Sequence, residues 1–269
     1  MDDRTLPNGS IARLIRGLSY PLEGLRFINQ HGLWGMAAVS IGINVVLFLA
    51  LVAVAWWSVS PYVSWMDQGL SAWASGFEMQ VIVVFAALMV WVIWILFAVL
   101  ALGASSIVLL LIGQAAASPF LDMLSERVEN IVLGTPEQPF TVSIITRSIL
   151  LSLSDLFWGL VYLAAFNIPV FLVSLTAVGA VPASIASFAF SSLLLAVEFI
   201  GLPMTRRFVS YRDRWSLIWD SKGLALGFGA SSMLLLLVPG LNLILLPLAA
   251  VGGTLAFCDL RRSGELQPM

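Results

Sequence analysis

Apolar segments long enough to cross a lipid bilayer dominate this chain. The first, at about 33–59, has 27 residues and would form a helix of about 40 Å, against about 30 Å for the hydrocarbon core of a bilayer. Only 10% of all residues are charged, whereas an ordinary soluble domain has about 25%. Repeated apolar segments between polar stretches exclude a soluble globular domain. The sequence therefore predicts an all-α polytopic membrane protein.

Six apolar segments define a membrane domain at 33–260, which follows an amphipathic segment at 1–32 and precedes a tail at 261–269. The segments lie at about 33–59, 81–113, 149–178, 183–201, 224–238 and 241–257. The second is about 50 Å long as a helix, so its last turns should extend beyond the bilayer. We expect two long transmembrane helices, two helical hairpins that partly penetrate or fully cross the membrane, and amphipathic cytoplasmic helices.

The last two segments are short, at about 22 and 25 Å. One interpretation is a hairpin that enters the bilayer only partway. Its Pro239-Gly240 tip must then be shielded by protein or face water, because lipid cannot satisfy backbone polar groups. The other is a fully crossing pair that recruits extra helical turns at its cytoplasmic ends. Segment length alone favours neither.

The distribution of cations predicts the orientation. Of the 13 Lys and Arg residues, four precede the first apolar segment, two flank the polar stretch at 130–146, five lie at 202–222, and two are in the tail. The remaining connections have none. By the positive-inside rule, these four regions and both termini face the cytoplasm, and the chain passes through the membrane several times.

The N-terminal segment is predicted to form a helix on the membrane surface. Apolar residues keep helical spacing between Ile11 and Leu25, while Arg13, Arg16 and Arg26 fall on other faces. Such a segment lies in the headgroup region, where its arginines meet anionic lipid. In an alternative interpretation, one of these arginines binds an anionic substrate. Pro21 is expected to break or bend the helix.

A second amphipathic helix should begin where the segment at 81–113 ends. Ser118 is the expected N-cap, Pro119 the first helical residue, and Phe120 opens an apolar face that continues with Leu121, Leu124, Val128 and Ile131. Asp122, Glu126 and Glu129 fall elsewhere on the helix. We interpret this stretch as an assembly and gating element. Its candidate residues are Ser118, Pro119, Phe120 and Glu126, together with Pro239 and Gly240 of the final hairpin.

No constellation of residues predicts an enzyme. The chain has a single histidine, His31, and no paired-histidine metal motif, phosphate-binding glycine loop or nucleophile with a histidine partner. The lone Cys258 fits a packing role. The basic 202–222 stretch borders a membrane, so lipid contact explains it better than nucleic acid does. We expect no catalytic residue, metal, cofactor or nucleic-acid partner.

Polar residues at membrane depth are functional candidates by default. Asn44 lies about twelve residues into the first segment, and Asn242 follows the Pro239-Gly240 turn. Both residues either hydrogen-bond between helices or line a polar path through the fold. Asp155 and Glu198 lie near the cytoplasmic ends of their segments, where water reduces the cost of a charge. With no carboxylate near a segment centre, the sequence gives little support to a proton relay.

Two motifs carry a family resemblance. They read Ala117-Ser118-Pro119-Phe120-Leu121-Asp122-x-Leu124-x-Glu126 and Val238-Pro239-Gly240-Leu241-Asn242-Leu243-x-x-x-Pro247, the second followed by Gly252-Gly253-Thr254. With this hydropathy profile the chain resembles the CysZ family of bacterial sulfate transporters, within the wider etoposide-induced-protein superfamily. The resemblance implies two full spans, partially inserted hairpins, and oligomers that take up sulfate for cysteine synthesis.

The family's Gly-apolar-Arg-Arg stretch, associated with sulfate binding, is replaced here by Gly32-Leu33-Trp34-Gly35. Arg26 and backbone amides at 32–35 are therefore our candidate anion-binding groups. The leading hypothesis is a homo-oligomeric transporter or channel for a small inorganic anion, sulfate first, with membrane lipid as its other partner. The alternative is a non-transporting membrane scaffold or envelope-homeostasis protein that keeps the fold without the anion site.

Overall fold

A computed structural model gives the fold of the chain. It describes residues 6–7, 9–74, 116–135, 142–176, 178–236, 238 and 241–266, with seven further positions between 85 and 96. The helices are α1 (Ser10–His31), α2 (Trp34–Ala74), α3 (116–133), α4 (Val142–Ser174), α5 (Ala180–Ile200), α6 (Leu202–Arg206), α7 (Tyr211–Asp220), α8 (Lys222–Leu236) and α9 (Leu241–Arg262). Because no strand occurs in these residues, the all-α prediction is confirmed.

Within the described ranges, four helices are long and apolar enough to cross a membrane. The stretches concerned are Trp34–Val54, Leu153–Ser174, Ala180–Ile200 and Ile244–Arg262. α8 is also apolar, but its 15 residues are fewer than a usual span requires. The prediction of a polytopic membrane protein is confirmed. The apolar segment at 81–113, apart from the isolated positions, and the Pro239-Gly240 tip lie outside the described residues.

The chain divides into two units, one of Met1–Ile43 with Gln114–Met269 and one of Asn44–Gly113. In the larger unit, α1 packs against α8 and α9, while α5 packs against α4, α8 and α9. The core of this unit is apolar and includes fully buried Ile200 and Phe228. A second cluster of buried apolar residues includes Phe27 and Leu124.

The smaller unit contains most of α2. Side chains on this helix, among them Val46, Trp56 and Trp57, are largely exposed. Exposed apolar side chains on a helix of this length suit contact with lipid. The helix continues through Pro61 to Ala74, beyond the predicted segment end at about 59.

Glycines set the distance between α1 and α9. A Cβ atom added to Gly24 would lie 2.6 Å from the carbonyl oxygen of Leu248, and one added to Gly252 would lie 2.6 Å from the carbonyl oxygen of Tyr20. Both distances are too short for a normal contact. The two backbones therefore touch directly, as small residues allow at helix interfaces. We call this contact, with the equivalent one to α8, the glycine seam.

The seam extends to α8 and includes Pro21. A Cβ atom at Gly17 would lie 2.8 Å from the backbone nitrogen of Phe228, and one at Gly227 would lie 3.0 Å from the Cα of Gly17. Pro21 is buried within α1, and the helix runs unbroken past it, so the expected break is wrong. The Gly252 backbone packs directly against Pro21, and this tertiary support outweighs the one helical hydrogen bond that proline removes.

α3 buries its predicted apolar face, including Leu124 and Val128. Its predicted start is wrong, because the helix already includes residues 116 and 117, so Ser118 is not its N-cap. Alanines before Ser118 are the strongest helix formers and extend the helix N-terminally. Asp122 and Glu129 are buried as well, and Arg206 donates to the backbone carbonyl oxygen of Asp122 and pairs with the Glu129 carboxylate.

Substituting a seam glycine should destabilise the fold. In Gly24→Ala the methyl group meets the α9 backbone, so we expect a loss of about 1–3 kcal/mol in the free energy of unfolding. The matched control is Gly35→Ala, where a Cβ atom meets nothing within 4 Å. Alanine there should stabilise the helix by up to about 1 kcal/mol. Thermal unfolding in detergent measures both changes in stability. Melting temperatures that shift in the same direction for the two variants would contradict a close backbone contact at Gly24.

Candidate functional site

A cavity of about 560 Å³ lies between α1 and α9 in the larger unit. Its lining is polar and charged towards the helix ends and comprises Arg16, Glu23, Arg26, Phe27, Gln30 and His31 of α1, Val132 of α3, and Leu255, Asp259 and Arg262 of α9. The glycine seam fixes these two helices, and so determines which side chains meet in this α1–α9 cavity.

One wall of the α1–α9 cavity is a closed ion-pair network. Arg16 pairs with Glu23, and its other terminal nitrogen lies 3.1 Å from Asp259 Oδ2. The Tyr20 hydroxyl donates to the same Asp259 oxygen at 2.9 Å. Burial and the Asp259 carboxylate raise the pKa of Tyr20, so the phenol remains a donor at neutral pH. These groups satisfy one another and hold α1 against α9.

The other wall carries donors that are not bound in ion pairs. Among the described residues, neither Arg26 nor Arg262 has a carboxylate partner, although Arg262 donates to the carbonyl oxygen of Val132 at 2.5 Å. The His31 ring stacks on Phe27, with its Nδ1 3.1 Å from the Phe27 carbonyl oxygen. Two guanidinium groups with a neighbouring imidazole can hold a small oxyanion.

The link at 32–35 joins α1 to α2 beside this region. Gly32 ends α1 in the left-handed conformation (φ 65°), which only glycine adopts without strain. Leu33 is buried in an apolar cluster, whereas Trp34 is exposed and donates to Asn29 at 2.6 Å. Gly35 meets nothing within 4 Å. None of these four residues lines the α1–α9 cavity.

A buried carboxylate joins three helices elsewhere in the larger unit. Glu129 of α3 is 3% exposed and forms ion pairs with Arg206, Arg207 and Arg261, at 2.8 Å and 3.2 Å to Arg206 and Arg261. Arg206 also donates to the Asp122 carbonyl oxygen at 2.6 Å. An isolated carboxylate at this depth would be strongly unfavourable. This Glu129 cluster therefore ties α3 to α6 and α9.

A second buried charge group lies where α4, α5 and α7 meet. Arg214 is 1% exposed, pairs with Asp155 and donates to Thr205 Oγ1 at 2.8 Å. Glu198 lines an adjacent cavity of about 330 Å³, which Asp155 and Arg214 also line. The guanidinium of Arg214 pairs with Asp155, and Glu198 lies in the lining of the same cavity. The sequence placed Asp155 and Glu198 at separate segment ends, and their position along one cavity depends on tertiary packing.

The remaining sequence candidates are dispersed. Asn44 is half-buried on α2, and Asn242 lies in the first turn of α9, its side chain outside the described set. Ser118 and Pro119 are buried in α3, with Ser118 lining the same 330 Å³ cavity, while Phe120 and Glu126 are half-buried. Pro239 and Gly240 are not among the described residues. Among the sequence candidates whose side chains the structure describes, Arg26 is the one that lines the α1–α9 cavity.

Sequence analysis missed Arg262, Gln30 and His31 as partners of Arg26. Arg262 served there only as an indicator of topology. Gly24 and Gly252 lie on helices far apart in sequence, and small residues of this kind indicate close helix packing. They were the sequence signal from which the packing of α1 against α9 could have been predicted.

Comparison with known proteins adds a family match. The family model described as "Sulfate transporter CysZ/Etoposide-induced protein 2.4" matches residues 20–247. The chain is 25% identical over 245 residues to a Pseudomonas fluorescens Pf0-1 protein named "Sulfate transporter CysZ". The alignment covers 91% of this chain and 93% of that relative.

Two further relatives carry the same name. One from Pseudomonas fluorescens Pf-5 is 29% identical, covering 91% of this chain and 94% of its own length. One from Vibrio parahaemolyticus is 25% identical, and the alignment covers 88% of this chain and 92% of that relative. The similarity therefore extends over nearly the whole of each chain.

Removing the Glu129 charge should destabilise the larger unit. Glu129→Gln leaves three guanidinium groups without their carboxylate, and we expect a loss of about 3 kcal/mol in the free energy of unfolding. Glu126→Gln is the matched control, half-buried on the same helix, and should cost less than about 1 kcal/mol. Denaturant unfolding in detergent gives both values. Equal losses would show that the cluster does not stabilise the fold.

Proposed function

Because the chain belongs to the family of sulfate transporter CysZ and etoposide-induced protein 2.4, we propose that it moves a small inorganic anion, sulfate first, across the bacterial inner membrane. It works as a transporter or channel, assembles as a homo-oligomer and uses no hydrolysed cofactor. The names of the relatives support sulfate as the first substrate to test.

The observation that carries this proposal is the pair of cavity arginines. Arg26 and Arg262 line a cavity large enough for a tetrahedral oxyanion, and no carboxylate among the described residues pairs with them. A divalent anion requires fixed donors, and guanidinium groups present several N–H groups in one plane. The neighbouring Arg16 is engaged with Glu23 and Asp259, so it contributes to the framework of the site.

Other residues along the anion path through the protein are assigned from the sequence. Asn44 and Asn242 are proposed to line this path. Backbone N–H groups in the first turn of α2, at Trp34 and Gly35, are proposed as additional anion donors, since the first N–H groups of a helix lack internal acceptors.

Arg26→Gln should reduce sulfate uptake into proteoliposomes. Loss of one charge-assisted hydrogen bond removes about 1.5–3 kcal/mol, or at least about tenfold in affinity at the site. Labelled sulfate uptake at subsaturating concentration measures this. The control is Arg13→Gln, on the same helix but outside the cavity, where Arg13 pairs with Glu265 at 2.7 Å. It should leave uptake near the wild-type level.

The outcomes of this assay are distinct. Wild-type flux equal to that of empty vesicles, with protein correctly inserted, would contradict transport and favour the scaffold hypothesis. Wild-type flux that Arg26→Gln leaves unchanged would contradict the α1–α9 cavity as the anion site while retaining transport.

Both termini are proposed to be cytoplasmic, with the membrane domain at 33–260 between the segment at 1–32 and the tail at 261–269. A cysteine at Asp67 should then react in intact cells with a membrane-impermeant maleimide, whereas Ser263→Cys should react only after permeabilisation. The native Cys258 is buried and gives little background. If Asp67→Cys is protected in intact cells while Ser263→Cys is labelled, the orientation is the opposite of the proposed one.

A further inference from the structure

The cavity of about 330 Å³ that Glu198 lines has a mostly apolar wall, and we call it the Glu198 cavity. Leucine side chains from several helices of the larger unit form this wall, among them Leu121, Leu156, Leu195 and Leu245. The volume is typical of small-molecule sites, which range from about 300 to 1,000 Å³. None of its lining residues lines the α1–α9 cavity, so the two cavities are distinct.

Glu198 is an unpaired group that a ligand in this cavity can reach. Its side chain is half-buried, and its oxygens are not among the fully enclosed polar atoms. Within the part of the chain that the structure describes, its carboxylate accepts no hydrogen bond and forms no ion pair. Asp155, by contrast, pairs with Arg214, which also donates to Thr205 Oγ1 at 2.8 Å. An unpaired carboxylate in apolar surroundings is unfavourable, so Glu198 takes up a proton or a cation.

The charge of the lining favours an organic cation. The lining contains one guanidinium, that of Arg214, and three carboxylates, those of Asp122, Asp155 and Glu198. This excess of negative charge disfavours an anion such as sulfate. A metal ion requires several oxygen ligands, and no group of three or more His, Cys, Asp or Glu side chains in the described ranges could hold one. A metal ion would also leave the leucine wall without a partner.

The charged and apolar parts of the Glu198 cavity lie at different levels along the helices. Glu198 is close to the end of α5 at Ile200, and Asp155 is close to the start of the α4 span at Leu153. Leu163 lies eight residues further along α4, or about 12 Å deeper in the span. Its side chain is exposed, like those of two other lining residues, Leu160 and Leu236. A ligand dissolved in the bilayer can therefore enter beside these leucines with its charged end towards Glu198.

We propose that the Glu198 cavity binds a compact hydrophobic amine that is protonated at neutral pH. The ammonium group pairs with the Glu198 carboxylate, and the aliphatic or aromatic body of the ligand lies against the leucine wall. Phosphatidylethanolamine also carries an ammonium group, but its phosphate lies between that group and the acyl chains. The carboxylates of Asp155 and Glu198 would repel this phosphate. The cavity therefore favours an ammonium group attached directly to an apolar chain.

Radiolabelled n-octylamine tests this proposal in a scintillation proximity assay, with the protein immobilised in detergent. Binding should be saturable, and unlabelled octylamine should displace the label. 1-Octanol has the same chain without the charge, so we expect displacement to require a concentration at least about tenfold higher. Octanoate, which carries a negative charge, should not displace the label.

Two substitutions in the cavity test the role of the Glu198 charge. Glu198→Gln keeps the size of the side chain and should weaken octylamine binding at least about tenfold. Gly159→Ala adds a methyl group 3.2 Å from Glu198 Oε1, where the ammonium group must approach, and should also weaken binding. Alanine is the better helix former, so this second variant should remain folded. The matched control is Glu126→Gln, outside the cavity on α3, which should bind octylamine like wild type.

Several outcomes would overturn the proposal. One is the absence of saturable octylamine binding to wild type, and another is wild-type affinity in either cavity variant. Equal displacement by octanol and octylamine would show that the cavity recognises an apolar chain without regard to charge. Displacement by short-chain phosphatidylethanolamine at the same concentration as octylamine would assign the cavity to a lipid headgroup.

Discussion

The backbone contact between α1 and its neighbours is the constraint on which the larger unit depends. Gly24 and Gly252 bring α1 and α9 together without intervening side chains, and Gly17 and Gly227 do the same for α1 and α8. Lipid tails are as apolar as leucine, so close packing supplies most of the attraction between helices in a membrane. The same contact fixes the two helices that supply most of the lining of the α1–α9 cavity.

Buried charge is the second organising feature. The Glu129 cluster and the Asp155–Arg214 pair each join a buried carboxylate to arginine from another part of the chain. Such pairs contribute little net stability compared with apolar packing, but breaking one leaves an uncompensated charge in a poor solvent. They therefore fix which helices associate. Arg26 and Arg262 contrast with them, because both are exposed and, among the described residues, neither forms an ion pair.

The membrane class and the all-α fold followed from segment length and composition, because lipid leaves the backbone few alternatives. Local signals were less reliable. Pro21 was expected to break or bend α1, and Ser118-Pro119 to begin α3. Both positions lie inside helices, because α9 packs against Pro21 and alanines precede Ser118. For the site, sequence pointed to Arg26 through its charge and position. Charge and position did not reveal Arg262 in the cavity lining or the Asp155–Arg214 ion pair, because each joins helices far apart along the chain.

The Asp155–Arg214 pair also imposes an order on biosynthesis. A chain made from its N-terminus delivers α4, with Asp155, to the membrane before α7 and its arginine have left the ribosome. Until then the carboxylate remains near the end of its segment, within reach of water. The α4–α5 hairpin therefore lacks the ion-pair partner of Asp155 until α7 has been made.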